Sequence, residues 1–129
     1  MVGMVIVSHS KEIANGVKDL AKQMVGNIPI AVAGGTADGR LGTDVNKITT
    51  AIESVYSDDG VIILFDLGSA FMNSEMAVEM LPEEMQNKVR ILNVALVEGA
   101  VSAAIECSSG KNIKEIQESI KELNLEKIS

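Results

Sequence analysis

Residues 4–16 read MVIVSHSKEIANG, and this stretch decides the fold. The β-branched run from Met1 to Val7 predicts a strand buried on both faces, which Ser8 ends. Ser10 fits a helix N-cap. Ile13, Val17, Leu20, Ala21 and Met24 then recur at helical spacing. A buried strand therefore feeds a helix through Ser8, His9 and Ser10, as in the first half of a parallel βαβ unit. His9 is the only histidine in the chain.

The same alternation continues outward. Ile28–Gly35 (IPIAVAGG) predicts a second strand, with Pro29 near its start where a missing N–H is tolerated. Gly34 to Asp44 is a polar loop carrying Gly34, Gly35, Gly39 and Gly42, and Thr43 or Asp44 caps the following helix. That helix shows Ile48, Ala51, Ile52, Val55 and Tyr56 on one face. Asp58, Asp59 and Gly60 make a turn, and Val61–Phe65 a third strand ending at Asp66. Met72, Met76, Ala77 and Met80 form the apolar stripe of a third helix, with Phe71 and Val78 off it, and Pro82 stops it. A fourth strand is expected over Val89–Val94 and a tightly packed helix over Val97–Cys107. A closing helix carries Ile113, Ile116, Ile120 and Leu123, followed by a polar tail to Ser129.

The fold class is thus α/β: an open, mainly parallel sheet of about four strands with helices on both faces, in one domain over residues 1–129. In such sheets ligands gather at the carboxyl ends of the strands, where strand order reverses. With the first strand central, His9 and Asp66 meet at one mouth.

Composition narrows the partners. The 129 residues are 47% apolar but only 2% aromatic, and carry a formal net charge of −7. That surface repels nucleic-acid phosphates and anionic membranes. One cysteine, Cys107, allows no internal disulfide, as expected of a cytoplasmic protein. No leader is apparent and no apolar run reaches the roughly 20 residues that span a bilayer. One His and one Cys are too few to supply the usual nitrogen and sulfur ligands of a zinc site, and no metal is expected on this chain.

A helix N-terminus favours an anion and disfavours a protonated imidazole. A neutral imidazole whose Nδ1–H is held by a carboxylate presents the Nε2 lone pair as a nucleophile. Asp66 fits the carboxylate role. If the electrophile is a phosphoryl group, the product rests against helix amides and the Leu67-Gly68-Ser69 turn, with a hydroxyl from Ser69 or Thr36. The Gly34–Asp44 loop contains neither GxGxxG nor a P-loop, so its glycines alone do not indicate a nucleotide site. Two other classes stay open on residues alone: an aspartate-phosphorylated receiver-like module, which wants an acidic pair where Ser8 and His9 stand, and a binding module in which His9 is incidental.

VIVSHS, GGTADGRLGTD, DLGSAFMN and ALVEGAVSAA, in this order and spacing, resemble the mannose-type enzyme IIA family. The likeness is to its branch in phosphoenolpyruvate-dependent bacterial dihydroxyacetone kinases and runs from Met1 to about Ser109. The resemblance implies that His9 carries a phosphoryl group, that Asp66 orients the imidazole, and that Gly68 and Ser69 bind phosphoryl oxygens. Gly35 and Thr36 complete the expected phosphate-binding set. It implies a histidine phosphocarrier protein as donor and ADP on a separate kinase subunit as acceptor. Mg-ADP/ATP then sits on that partner, and this chain needs no cofactor. It also implies a homodimer without membrane insertion. Some relatives carry further domains after this one; an end at Ser129 fits the single-domain form. The alternative is a mannose-type enzyme IIA of sugar uptake, whose third-strand turn is longer and contains an aromatic residue, unlike DLGSA. The swapped fifth strand of the mannose type has no counterpart in the C-terminal sequence.

Overall fold

In the computed structural model, which describes residues 1–127, the chain begins with β1 (Gly3–Ser8), α1 (Lys11–Val25), β2 (Ile30–Gly34) and α2 (Val45–Val55). It continues with β3 (Val61–Phe65), α3 (Gly68–Glu79), the short α4 (Glu83–Gln86) and β4 (Val89–Leu92). It closes with α5 (Leu96–Ser108), α6 (Ile113–Ser119) and a 3-10 turn, Lys121–Leu123. The four strands run parallel in the order β2-β1-β3-β4. The order reverses between β1 and β3, which fixes the mouth where a site forms.

Alternate strand residues feed two cores. Met4, Ile6, Ile62 and Leu64 pack with α1, α5 and α6 through Ala14, Val17, Ala21, Ala100, Ala103 and Ile116. Val5, Val7, Ile63 and Phe65 pack on the other face with Ile48, Ile52, Ala70 and Ala77 of α2 and α3. Every residue of β1 and β3 is buried, as parallel strands covered on both faces require.

Two helix faces differ from expectation. In α1 the sheet takes Ala14, Val17 and Ala21, while Ile13, Leu20 and Met24 are exposed. In α3 the reversal is larger. Met72, Met76 and Met80 are exposed, whereas Ala70, Ser74 and Ala77 face inward and Phe71 and Val78 pack against the core. The inner side of α3 carries small residues, which let the helix lie close to the sheet. The methionine stripe has helical spacing, but spacing alone does not say which stripe the sheet receives.

The end of the chain also differs. Val94 leaves the parallel ladder and forms an antiparallel bridge with Asn124. The tail after α6 therefore runs back along the end of β4. The last two residues of the expected polar tail, 128 and 129, lie outside the described residues.

Candidate active site

His9 follows β1 directly, and Asp66 follows β3. Pairing of β1 with β3, with Val7 opposite Phe65, puts the two side chains side by side. Asp66 Oδ2 accepts the Ser8 hydroxyl at 2.9 Å and the His9 backbone N–H at 2.9 Å. Its Oδ1 accepts the Leu67 N–H at 2.7 Å and faces His9 Nδ1 at 3.0 Å. An ionised carboxylate offers only acceptors, so the ring presents Nδ1–H to it. Nε2 then keeps its lone pair and accepts the Ser69 hydroxyl at 2.7 Å.

Burial raises the Asp66 pKa, but hydrogen bonds from His9, Ser8 and Leu67 outweigh it and hold the carboxyl below its ordinary value of 3.8. Asp66 is therefore a fixed anion at neutral pH. The His9 side chain is 25% exposed. That is enough for a group on another molecule to reach Nε2 from outside.

Ser8 was not legible as a site residue. It is fully buried, donates to Asp66 and accepts the Ser10 N–H at 3.1 Å. Its signal was a lone polar residue closing an apolar strand. Ser10 caps α1 by accepting the Ile13 N–H at 3.2 Å, which fixes the direction in which the chain leaves His9.

Gly68 and Ser69 open α3, whose N-cap, Leu67, makes no side-chain hydrogen bond. The Ala70 N–H donates to the Leu67 carbonyl at 2.9 Å, which leaves the Gly68 and Ser69 amides at the open end of the helix, where the Ser69 hydroxyl meets His9, as an anion-binding end. Gly35 and Thr36 sit differently. The Gly35 N–H donates to the Ser8 carbonyl at 3.2 Å, and the Thr36 N–H to the Arg40 carbonyl at 2.9 Å. The Thr36 hydroxyl donates to Asp38 at 2.5 Å and accepts the Arg40 N–H at 3.0 Å. Thr36 braces its own loop, and Gly35 ties the start of that loop to the end of β1. The loop touches the site through the Gly42 N–H, which donates to the His9 carbonyl at 2.8 Å.

This arrangement is that of a nucleophilic imidazole with a fixed tautomer. The family described as "PTS system fructose IIA component", EIIA-man, matches residues 3–120. The chain belongs to this mannose-type enzyme IIA family.

Its relatives divide by length. The "PTS-dependent dihydroxyacetone kinase, phosphotransferase subunit DhaM" of Lactococcus lactis is 38% identical over 125 residues, covering 97% of this chain and 98% of the relative. The "PEP-dependent dihydroxyacetone kinase, phosphoryl donor subunit DhaM" of Escherichia coli is 42% identical over 120 residues. There this enzyme IIA chain spans only 25% of the relative's length. Among solved structures, the protein of unknown function EF1359 has a TM-score of 0.84 at 35% identity, covering 97% of this chain and 96% of its own. A phosphotransferase system component EIIA from Streptococcus agalactiae shares the fold, with a TM-score of 0.68 at 17% identity, covering 95% of this chain and 91% of its own.

The surroundings fit an open site on this enzyme IIA fold. A groove of about 610 Å³ is lined by Lys11, Asn15, Gly34, Asp44 and Lys47 among others, but neither His9 nor Asp66 lines it. Cys107 is buried, and that burial pushes its thiol up to about 11, so it is no competing nucleophile. Among the described residues no His, Cys, Asp and Glu group is arranged to hold a metal, and no helix is long and apolar enough to cross a membrane.

The Ser69 contact yields a testable effect. Ser69→Ala removes one neutral hydrogen bond to Nε2 and one hydroxyl from the phosphoryl position. We expect a roughly 5- to 10-fold slower phosphoryl uptake, the size of one such bond. Initial rates of acid-labile phosphate incorporation measure it; an unchanged rate would remove Ser69 from the site.

Proposed function

We propose that this chain relays phosphoryl groups through His9 as the phosphoryl donor subunit of a dihydroxyacetone kinase. The observation that carries the reading is the pair of contacts on one imidazole: Nδ1 on Asp66 and Nε2 at the exposed edge beside Ser69. The names of the relatives, at 36% to 42% identity, support the kinase role over sugar uptake.

In the forward step the Nε2 lone pair attacks phosphorus, and the donor's P–N bond breaks with its electrons returning to the donor nitrogen. Positive charge develops on the His9 ring and is balanced by Asp66 through Nδ1–H. The amides of Gly68 and Ser69 receive the phosphoryl oxygens. In the second step the P–Nε2 bond breaks as an ADP oxygen attacks. The donor in this reading is a histidine phosphocarrier protein. The acceptor is ADP with Mg²⁺ on a separate kinase subunit, so this chain holds neither. Such exchange needs in-line approach of two proteins, which an open site permits and an enclosed pocket prevents. The reading also makes the chain a cytoplasmic homodimer; light scattering checks the second point, with a particle of two chains expected.

The test supplies phosphoenolpyruvate, enzyme I and the phosphocarrier, then the ADP-loaded kinase subunit. ATP formation that requires this chain supports the proposal. Phosphate accepted by the chain but passed only to a sugar-transport enzyme IIB would overturn the kinase role in favour of sugar uptake.

A further inference from the structure

We propose that Lys127 belongs to the phosphoryl site: a C-terminal strap carries its ammonium beside Asp66, where it offsets the negative charge that gathers when His9 is phosphorylated. The inference rests on the reading of His9 as a phosphoryl carrier.

The strap is built from backbone. The Ala95 N–H donates to the Leu123 carbonyl and the Leu125 N–H to the Asn93 carbonyl, each at 2.9 Å, flanking the bridge between Val94 and Asn124. These bonds send the chain across the carboxyl ends of β4 and β3. Lys127 Nζ then donates to the carbonyl of Phe65 at 2.5 Å and lies 4.6 Å from the centre of the Phe65 ring. Phe65 is the residue before Asp66. The strap also rests on the start of α3: a Cβ on Gly68 would stand 2.8 Å from the Lys127 carbonyl oxygen. Glycine at position 68 is what lets the strap lie there. The site is thus closed on one side by residues that follow the last helix.

The charges explain why a cation is useful at this place. A phosphoryl group adds roughly two negative charges next to a carboxylate that is already ionised. An ammonium whose stem is half-buried is only partly screened by water. Burial lowers the Lys127 pKa, and the Asp66 charge opposes that fall. Lys127 reaches no reacting atom in this state, so it acts as a positioning residue through Asp66 and the phosphoryl group. The long flexible stem also allows the ammonium to leave the Phe65 carbonyl for a phosphoryl oxygen.

The experiment uses phosphoramidate as a small donor, which needs no partner protein. Nε2 forms its bond to phosphorus as the donor's P–N bond breaks, and ammonia leaves. Wild type, Lys127→Met and Lys127→Arg are compared by initial rate and by the ³¹P resonance of phospho-His9. Methionine keeps the apolar stem, and arginine keeps the charge. We expect Lys127→Met to be about 5- to 10-fold slower with a displaced resonance, and Lys127→Arg to fall within about 2-fold of wild type, as for a charge contact. Equal rates in wild type and Lys127→Met overturn the inference, as does a loss that arginine does not rescue. Failure of wild type to form phospho-His9 with phosphoramidate overturns it as well. Success with phosphoramidate but not with the phosphocarrier counts against the proposed donor alone, and leaves the comparison of variants decisive for Lys127.

Discussion

Asp66→Asn is expected to slow phosphoryl acceptance at His9 by about 10²- to 10⁴-fold, the range for losing the group that sets the state of a catalytic base. The argument is in the donors. Oδ1 takes the Leu67 N–H and the His9 ring, and Oδ2 takes the His9 N–H and the Ser8 hydroxyl. An asparagine NH₂ in either position points a donor at a backbone N–H. The hydroxyl of Ser8 can turn away; the amides of His9 and Leu67 cannot. If the NH₂ takes the Oδ1 position, it donates to Nδ1 and drives the proton to Nε2, which blocks attack. If it takes the Oδ2 position, it opposes the His9 amide, and the ring in both cases loses the anion that balances its developing charge. Initial rates of acid-labile phosphate incorporation are the measurement, and a rate within about 3-fold of wild type would contradict the role, because that is less than one hydrogen bond.

The same variant carries a pH signature. The folded-state pKa of Asp66 is depressed, so its contribution to stability is fully present above the unfolded value. It is lost as pH falls through the folded pKa. Denaturant midpoints of wild type and Asp66→Asn should therefore differ at neutral pH and converge as pH drops below about 3.8. A gap that stays constant to lower pH would show that ionisation of Asp66 is not what the variant removes.

Gly60→Ala is expected to destabilise the fold by about 2–5 kcal/mol, combining a left-handed backbone with an overpacked site. Gly60 has φ of 90°. A Cβ there would stand 2.3 Å from the Lys88 carbonyl oxygen and 2.8 Å from Ile113 Cδ1. The carbonyl cannot retreat, because it accepts the Val61 N–H at 2.9 Å where β3 begins. For a domain of this size the loss corresponds to a fall of roughly 7–18 °C in Tm. Calorimetry reads it, and phosphoryl uptake per folded molecule well below Tm should be preserved. An unchanged Tm would show that the β3–β4 entrance tolerates a side chain.

Much of the fold was legible because its strands are continuous apolar runs. Val61–Phe65 matches β3 residue for residue, and the order of elements, the parallel sheet and the placement of His9 and Asp66 at one mouth follow from alternation and the switch-point rule. Helix faces were less legible. α1 and α3 each carry more than one apolar or small-residue stripe, and the sheet accepts the smaller side chains, Ala14 and Ala21 in one and Ala70, Ser74 and Ala77 in the other. The four-residue α4 is too short to show a period. At the site, Asp66 and Ser69 stood out as polar residues after a buried strand. Ser8 looked like a strand terminator, and Lys127 was one lysine in a charged tail. Its position depends on the Val94–Asn124 bridge, a long-range pairing that no local pattern encodes.

The central claim is that His9 carries a phosphoryl group, and intact mass at neutral pH after incubation with phosphoenolpyruvate, enzyme I and the histidine phosphocarrier tests it most directly. The account predicts a gain of one phosphate per chain that is lost on acidification and absent in His9→Gln. No gain with active upstream proteins, or an equal gain in His9→Gln, would contradict it.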